Sequence, residues 1–167
     1  FVEMAKAAGL ILLKEKEKNP LKTTTFGVGQ IIKKAIENGC KRIYMGVGGS
    51  STNDGGIGAL SALGIRFFRK DGSLIYPGTG KDLIEIGKVE VSGLSENVVK
   101  CKFIILSDVR NPLYGKKGAS YVYAKQKGAD EKTVEFLDRG LKNYAYVIEK
   151  FTGKKVSKIQ GAGAAGG

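Results

Sequence analysis

Histidine and tryptophan are both absent from the 167 residues of the sequence. Without histidine, the chain cannot build a Ser-His-Asp triad, a zinc site with imidazole ligands or an imidazole general base. Any catalysis must therefore use carboxylate, lysine, hydroxyl or backbone groups. Cysteine is scarce too, because only Cys40 and Cys101 occur, and their spacing matches no paired metal site. We predict that both are reduced core thiols of a cytoplasmic protein.

Long apolar runs are missing as well, because Lys, Gly or Asp interrupts every hydrophobic stretch well before the ~18 residues of a membrane helix. The segment Phe1–Ala5 contains no basic leader before an apolar stretch, so the sequence predicts no signal peptide and no membrane partner. Since Phe1 is not an initiator methionine, we expect the natural start to lie upstream. The length of 167 residues is close to the ~150 residues of one domain.

The chain carries a large excess of positive charge, with 28 Lys and Arg against 16 Asp and Glu and a net charge of +12. Such a balance raises nucleic acids, acidic membranes and phosphorylated ligands as partners. The basic residues are nevertheless scattered in small groups, such as those within Lys14–Lys18 and Lys154–Lys158. The aromatic residues do not alternate with arginine as a stacking platform for single strands requires. We therefore predict a solvated, lysine-rich surface without a nucleic-acid partner.

Helical spacing characterises the N-terminal part of the chain. Apolar residues three and four apart predict one helix from Phe1 to about Lys18, ended by Asn19-Pro20. Three hydroxyls at Thr23–Thr25 predict caps for a second helix, whose buried face runs from Val28 to Ile36 and which Asn38-Gly39 ends.

A strand followed by a glycine-rich loop and a helix comes next. The apolar, β-branched segment 41–47 predicts a buried strand that runs directly into the polar loop 48–56, and a helix follows over 57–64. Ligand-binding loops of α/β folds are built in this order. An Asp71-Gly72 turn between two β-rich runs predicts a hairpin over 65–76.

A second apolar run at 101–106 predicts another interior strand, which leads into the polar loop 107–115, where Pro112 prevents further pairing. A long helix is predicted from Ala129 to Gly153. The chain closes with Gly161–Gly167, which is either a low-complexity tail or half of a second glycine loop. Together these elements predict an α/β fold in which helices flank a mixed sheet and glycine-rich loops lie at strand ends.

The loop Gly48–Gly56 has two possible roles. Glycine N–H groups after a strand, with a helix N-terminus behind them, can hydrogen-bond an anion. The alternative is a tight turn whose Ser, Thr and Asn side chains cap the following helix. The loop matches neither the P-loop nor the Rossmann fingerprint. However, Asp54 lies inside it and Asp108 follows another strand, and carboxylates beside an anion site commonly hold a phosphate through Mg²⁺.

Several unusual motifs occur together and in a fixed order over nearly the whole chain. They are Thr24, Gly27 and Gly29-Gln-Ile31; Gly48-Gly-Ser-Ser-Thr-Asn-Asp-Gly-Gly56; Ser107-Asp-Val-Arg-Asn-Pro-Leu113; Gly118-Ala-Ser120; Gln126-Lys-Gly-Ala129; Leu137-Asp138 with Tyr144-Ala145; and Gly161-Ala-Gly-Ala-Ala-Gly-Gly167. With these motifs the sequence resembles the bacterial glycerate kinases of the first type.

The resemblance implies an α/β kinase of two domains that transfers the γ-phosphoryl group of ATP to a hydroxyl of D-glycerate, with Mg²⁺ as companion. Family members are more than twice as long and carry an Asp-Ser-Phe-Lys-Gly-like motif before this region and a Thr-Gly-Glu-Gly-like segment after it. We therefore expect residues 1–167 to be the central portion of a glycerate kinase, inactive alone, with the N-terminal and C-terminal parts missing. The internal domain boundary, the oligomeric state and the choice between 2- and 3-phosphoglycerate stay open.

Carried over residue by residue, the resemblance predicts Asp54 and Asp108 as the catalytic carboxylates. One of them would bind Mg²⁺ and the other would orient or deprotonate the glycerate hydroxyl, and which does which is open. Asn111 would hold the second loop or touch the ligand. Backbone and hydroxyl donors around the substrate carboxylate or a phosphate are predicted from Gly48, Gly49, Ser50, Ser51, Thr52 and Asn53. For each residue the alternative is a structural role as a turn former or cap.

Two residues depart from the family pattern. Arg110 stands where relatives commonly have Thr, and Ser107 where they commonly have Cys, which puts the fine choice of substrate in doubt.

Two other functions stay open beside the kinase. One is a small basic module that binds anions or nucleic acid without catalysis, for which affinity would depend steeply on salt. The other is a kinase-like protein whose site has lost its activity.

Overall fold

Six short strands form two separate three-stranded sheets. The computed structural model describes residues 1–167. The strands are β1 (Val2–Glu3), β2 (Arg42–Gly46), β3 (Arg66–Arg69), β4 (Leu74–Ile75), β5 (Ile86–Glu90) and β6 (Lys102–Leu106). The first sheet is parallel, in the order β1-β2-β6, and the second is antiparallel, in the order β4-β3-β5. The predicted α/β class is confirmed, with its parallel and antiparallel pairs in different sheets.

Six α-helices pack against these sheets. They are α1 (Ala5–Ala8), α2 (Phe26–Glu37), α3 (Ile57–Ala62), α4 (Glu96–Lys100), α5 (Ala119–Tyr123) and α6 (Glu131–Thr152). The 3-10 turns are Leu10–Leu12, Glu15–Glu17, Gly80–Glu85, Lys125–Lys127, Val156–Lys158 and Ala164–Gly166. Asp130 caps α6 by accepting a hydrogen bond from the Thr133 N–H at 2.8 Å, and the helix ends at Gly153 as predicted. None of the helices combines the length and the apolar character of a membrane span.

Each sheet has a hydrophobic core of its own. Val28, Ile32 and Ile36 of α2 are buried against the parallel sheet as predicted, whereas Ile31, which the prediction placed on the same face, is 40% exposed. Phe67 of β3 and Leu141 of α6 are fully buried in the core of the antiparallel sheet. Burial of one such side chain contributes about 1.5–3 kcal/mol. The cores therefore fix α2 on the parallel sheet and α6 on the antiparallel sheet.

The predicted helix over Phe1–Lys18 is wrong. Its first residues form β1, which pairs in parallel with the end of β2. Helix α1 stops at Gly9, whose backbone is extended. Leu10 N then donates a hydrogen bond to Gly49 O at 2.9 Å. Pairing with β2 and with the glycine loop therefore overrides the helical spacing of the apolar residues.

β6 is an edge strand rather than the predicted interior strand. No strand of the chain pairs with its outer side, and its side chains Phe103 and Ile105 are 40% and 51% exposed. Cys101, just before this strand, is buried as predicted, but Cys40 is exposed. Both thiols are free, and the prediction of two core thiols is wrong for Cys40.

The terminal glycine segment Gly161–Gly167 packs between the two predicted loops and is not a free tail. Gly55 N donates to Gly166 O at 3.3 Å, and Gly163 N donates to Asn111 O at 3.0 Å. The segment therefore connects the glycine loop after β2 with the polar loop after β6.

Candidate active site

A cavity of about 140 Å³ lies at the carboxyl ends of β2 and β6. Gly48, Gly49 and Ser50 line it from the first loop, and Asp108 lines it from the second. The two loops meet because β2 and β6 are parallel neighbours with their carboxyl ends in register. The structure therefore brings Asp108 together with the first three residues of the glycine loop.

The N–H groups of Gly48 and Gly49 are free to bind a ligand, because neither donates to a protein acceptor. Both residues are exposed at the cavity. Gly49 has a φ of +69°, a conformation that glycine adopts readily and residues with a side chain rarely do. Successive N–H groups in turns of this kind form concave anion sites. This half of the loop therefore fits a carboxylate or a phosphate.

The second loop is held in place by Asn111 while Asp108 stays exposed. The Asn111 side chain donates from Nδ2 to Lys117 O at 2.9 Å, and its Oδ1 accepts from the Tyr123 hydroxyl at 2.7 Å. Asn111 therefore fixes the loop, which is one of its two predicted roles, and its amide group has both ends occupied by protein partners. The Asp108 carboxylate remains available to a ligand.

Asp54 is buried, with 1% of its surface exposed. Its Oδ2 accepts from the N–H and the hydroxyl of Thr25, both at 2.8 Å, and from Gly58 N at 3.4 Å. Its Oδ1 accepts from Gly56 N at 3.2 Å. Burial raises the pKa of Asp54, while the hydrogen bonds from Thr25 and Gly56 act against that rise. The carboxylate therefore joins the start of α2 to the start of α3.

Thr25 is a hydrogen-bond partner of Asp54 that sequence reasoning missed. The sequence predicted hydroxyl caps at Thr23–Thr25, but Thr25 makes no side-chain cap of its own helix. Its hydroxyl donates to Asp54 and accepts from Ala59 N at 2.8 Å instead. No signal in the sequence marks this contact, because Thr25 and Asp54 are brought together only by the packing of α2 on α3.

The middle of the glycine loop points into the protein. Ser51 donates from its hydroxyl to Ala8 O at 2.9 Å, and Asn53 donates from Nδ2 to Ser120 Oγ at 3.2 Å. Thr52 and Asn53 are fully buried, and Thr52 Oγ1 and Asn53 Oδ1 have no hydrogen-bond partner. Ser51 therefore anchors the loop to α1 and Asn53 anchors it to α5, and neither these two residues nor Thr52 line the cavity of Asp108.

Asp54 borders a different cavity from Asp108. That second cavity, of about 260 Å³, is largely apolar and includes Val28 and Met45 in its lining. Val47, Ala164 and Ala165 line both cavities and form the wall between them. The predicted site residues thus divide into a group at Asp108 and a buried group at Asp54. A further cavity, of about 750 Å³, lies between α2, α3 and α4 and contains neither group.

Lys127 is a further residue of the Asp108 cavity that the sequence did not single out. It follows α5, has 1% of its surface exposed and lines the cavity beside Ser50. Its ammonium donates to Ser50 Oγ at 2.9 Å, to Thr52 O at 2.6 Å and to Ala165 O at 3.2 Å. Its position within the motif Gln126–Ala129 was the only available signal.

The acidic residues offer one candidate ligand for Mg²⁺. No group of three or more Asp, Glu, His or Cys side chains has the arrangement of a metal site. Asp54 does not fit, because both its oxygens accept hydrogen bonds from the protein. Asp108 fits as a single carboxylate, because Mg²⁺ in kinases commonly binds one or two carboxylates together with substrate phosphates.

Comparison with known proteins gives one consistent family. The family model described as "Glycerate kinase family" matches residues 1–167. The glycerate kinase of Bacillus cereus is 47% identical over 100% of this chain and 44% of its own length. The glycerate 2-kinase of Escherichia coli is 42% identical over the same shares of the two chains.

A solved structure agrees with these sequence matches. A crystal structure assigned as glycerate kinase 2 from Salmonella typhimurium LT2 superposes with a TM-score of 0.96 at 42% identity, and it covers 100% of this chain and 44% of that one. The chain thus spans about 44% of the length of the relatives described. The predicted two-domain organisation, and the place of residues 1–167 within it, stay predictions.

Proposed function

The chain belongs to the glycerate kinase family, and from that premise we propose that it serves the transfer of a phosphoryl group from ATP to a hydroxyl of D-glycerate. The observation that carries the proposal is the shared cavity at the carboxyl ends of β2 and β6, which Gly48, Gly49 and Asp108 line together. The N–H groups of Gly48 and Gly49 suit an oxyanion, and the Asp108 carboxylate suits a hydroxyl or a cation. The anion site and the carboxylate that the reaction needs therefore lie in one cavity.

The free N–H groups of Gly48 and Gly49 would bind an oxyanion, either the carboxylate of D-glycerate or a phosphate of the nucleotide. Phosphoryl transfer depends mainly on positioning and charge stabilisation. Donors fixed in a turn bind an oxyanion without having to reorganise during the reaction. The first half of the glycine loop is therefore the proposed anion site.

Asp108 is the proposed catalytic carboxylate, because it is exposed at the cavity and no internal donor occupies it. It would accept the proton of the attacking hydroxyl or hold Mg²⁺ that arrives with the nucleotide, which would neutralise phosphate charge. Asn111 keeps the Asp108 loop in place through Lys117 and Tyr123. Asp54 has a positioning role in this proposal, because it holds the second half of the glycine loop from inside the protein.

The test compares Asp108→Asn with the wild type in the whole gene product that contains residues 1–167. D-Glycerate phosphorylation is followed by ADP release, and ³¹P NMR identifies the 2- or the 3-phospho product. We expect kcat/KM to fall by at least ~100-fold, the scale of one positioned acid or base. Asp71→Asn, in the exposed turn of the β3–β4 hairpin, is the matched control. A variant at Asp108 that stays within threefold of the wild type would contradict the proposed role.

The 167-residue chain is assayed beside the whole gene product. We keep the sequence-based prediction that the chain alone does not turn over D-glycerate. Turnover by the chain at the rate of the whole gene product would contradict that prediction while supporting the kinase function.

A further inference from the structure

Lys127 is a buried cation without an anionic partner. Only 1% of its surface is exposed, and its ammonium forms no ion pair with any carboxylate of the chain. Removing an ammonium from water is costly unless an opposite charge compensates it. Burial lowers the pKa of Lys127 to about 8, and the negative charge of Asp54 opposes that shift only in part. The protein therefore holds at this position a positive charge that is compensated only in part.

The three acceptors of Lys127 belong to the walls of the Asp108 cavity. Ser50 Oγ and Thr52 O come from the glycine loop, at 2.9 and 2.6 Å, and Ala165 O comes from the terminal segment, at 3.2 Å. Ser50 donates in turn to Ala165 O at 2.8 Å. Ala165 is the one non-glycine residue with a positive φ, of 56°. Lys127 and Ser50 thus hold a strained residue in place, and strain of this kind concentrates at functional sites.

The geometry places this charge in contact with the glycine loop that carries the free N–H groups. Ser50 contacts Lys127 on its buried side and lines the cavity together with Gly48 and Gly49. Asp108 lines the same cavity and would repel an anion that enters. A positive charge held against the loop offsets this repulsion, and it acts more strongly than it would in water because Lys127 and Ser50 are buried.

We propose that Lys127 is the counter-charge for an oxyanion bound on Gly48–Ser50, acting through Ser50 and the loop backbone as a positioning residue. The inference rests on the proposed function, because the oxyanion is the carboxylate of D-glycerate or a phosphate of ATP. Both ligands present the same oxygen-bearing negative charge to the loop.

The experiment uses Lys127→Met and Lys127→Arg in the whole gene product, with KM measured separately for D-glycerate and for ATP. We expect Lys127→Met to raise one KM by about 10- to 100-fold, the range for a charge-assisted hydrogen bond. Lys127→Arg, which keeps the charge, should recover part of the loss. A rise in the KM for D-glycerate identifies the carboxylate as the ligand, and a rise in the KM for ATP identifies a phosphate.

Lys125→Met is the matched control, because Lys125 lies two positions away on the same turn but is exposed and pairs with Glu131. We expect it to leave both KM values within twofold. Thermal unfolding of each variant shows whether it is folded, so that a change in KM is read only from folded protein.

A measurement on the wild type decides the case if Lys127→Met does not fold. The affinity for one of the two ligands, D-glycerate or ATP, should be constant below pH 8 and fall about tenfold per pH unit above it, as Lys127 loses its proton. The other titratable groups that face Lys127 are Asp54, Asp108 and Tyr123. The contribution of each group is checked by repeating the pH series with Asp54→Asn, Asp108→Asn and Tyr123→Phe.

The inference is overturned by unchanged KM values in folded Lys127→Met, or by a flat affinity between pH 7 and 10 for both ligands. Failure of the proposed function looks different, because the wild-type gene product would then not phosphorylate D-glycerate at all. If the wild type is active and Lys127→Met has unchanged KM values, the role proposed for Lys127 is therefore wrong and the kinase function is still supported.

Discussion

Replacement of Asp54 tests whether a buried carboxylate holds the glycine loop and two helix starts together. In Asp54→Ala the N–H and the hydroxyl of Thr25, which both donate to Asp54 at 2.8 Å, lose their acceptor inside the protein. Each buried donor left unpaired costs about 1–3 kcal/mol. The variant also no longer has to bury a carboxylate, which offsets part of that cost. We expect the free energy of unfolding to fall by about 2–4 kcal/mol.

Asp54→Asn separates the hydrogen bonds from the charge. An asparagine oxygen can take the place of Oδ2 and accept both donors of Thr25, while the amide nitrogen faces Gly56 N, whose bond is longer at 3.2 Å. We expect a loss of about 1–2 kcal/mol, because one neutral hydrogen bond and the charge assistance of the others disappear.

Urea unfolding followed by far-UV circular dichroism measures both variants against the wild type. Asp71→Ala serves as the control, since Asp71 accepts its hydrogen bonds from Ser73 in an exposed turn, and we expect it to cost less than about 1 kcal/mol. The reasoning is refuted if Asp54→Ala matches the wild type, or if Asp54→Asn costs as much as Asp54→Ala.

Three further predictions follow from single contacts. Gly58→Ala should lower stability by about 1–3 kcal/mol, because its Cβ would lie 2.7 Å from Phe26 N; an unchanged melting temperature contradicts this. Asp130→Ala should cost about 1 kcal/mol through loss of the α6 cap and speed hydrogen exchange in the first turn of the helix; wild-type exchange rates there would count against it. The pKa of Lys127 is about 8 in the folded protein and near 10.5 in the unfolded chain, so the unfolded state binds more protons between these two pH values. The contribution of Lys127 to the free energy of unfolding therefore rises with pH in this range, by up to roughly 3 kcal/mol. The free energy of unfolding of the wild type minus that of Lys127→Met, measured from pH 7 to 10, should therefore increase with pH. A difference that stays constant would disprove the pKa shift.

Local patterns in the sequence were sufficient to predict several elements of the fold. The apolar spacing of α2 and α6, the Asp71-Gly72 turn and the order of strand, glycine loop and helix predicted these parts correctly. They are determined locally because side chains three or four positions apart share a helix face and a short turn fixes its own hairpin. The meeting of Asp108 with the glycine loop was also predictable, since neighbouring parallel strands end at one edge of their sheet.

Other features depend on contacts between distant parts of the chain. The first residues have the spacing of a helix but form β1, because β2 offers them backbone hydrogen bonds. Asp54 and Asp108 look alike in the sequence, yet packing of α2 on α3 buries one and leaves the other exposed. Lys127 is one of many lysines until Ser50, 77 positions away, becomes its acceptor. Sequence thus determined the elements and the edge at which their loops meet, and tertiary structure decided which polar groups lose contact with water, because burial depends on neighbours that local spacing does not specify.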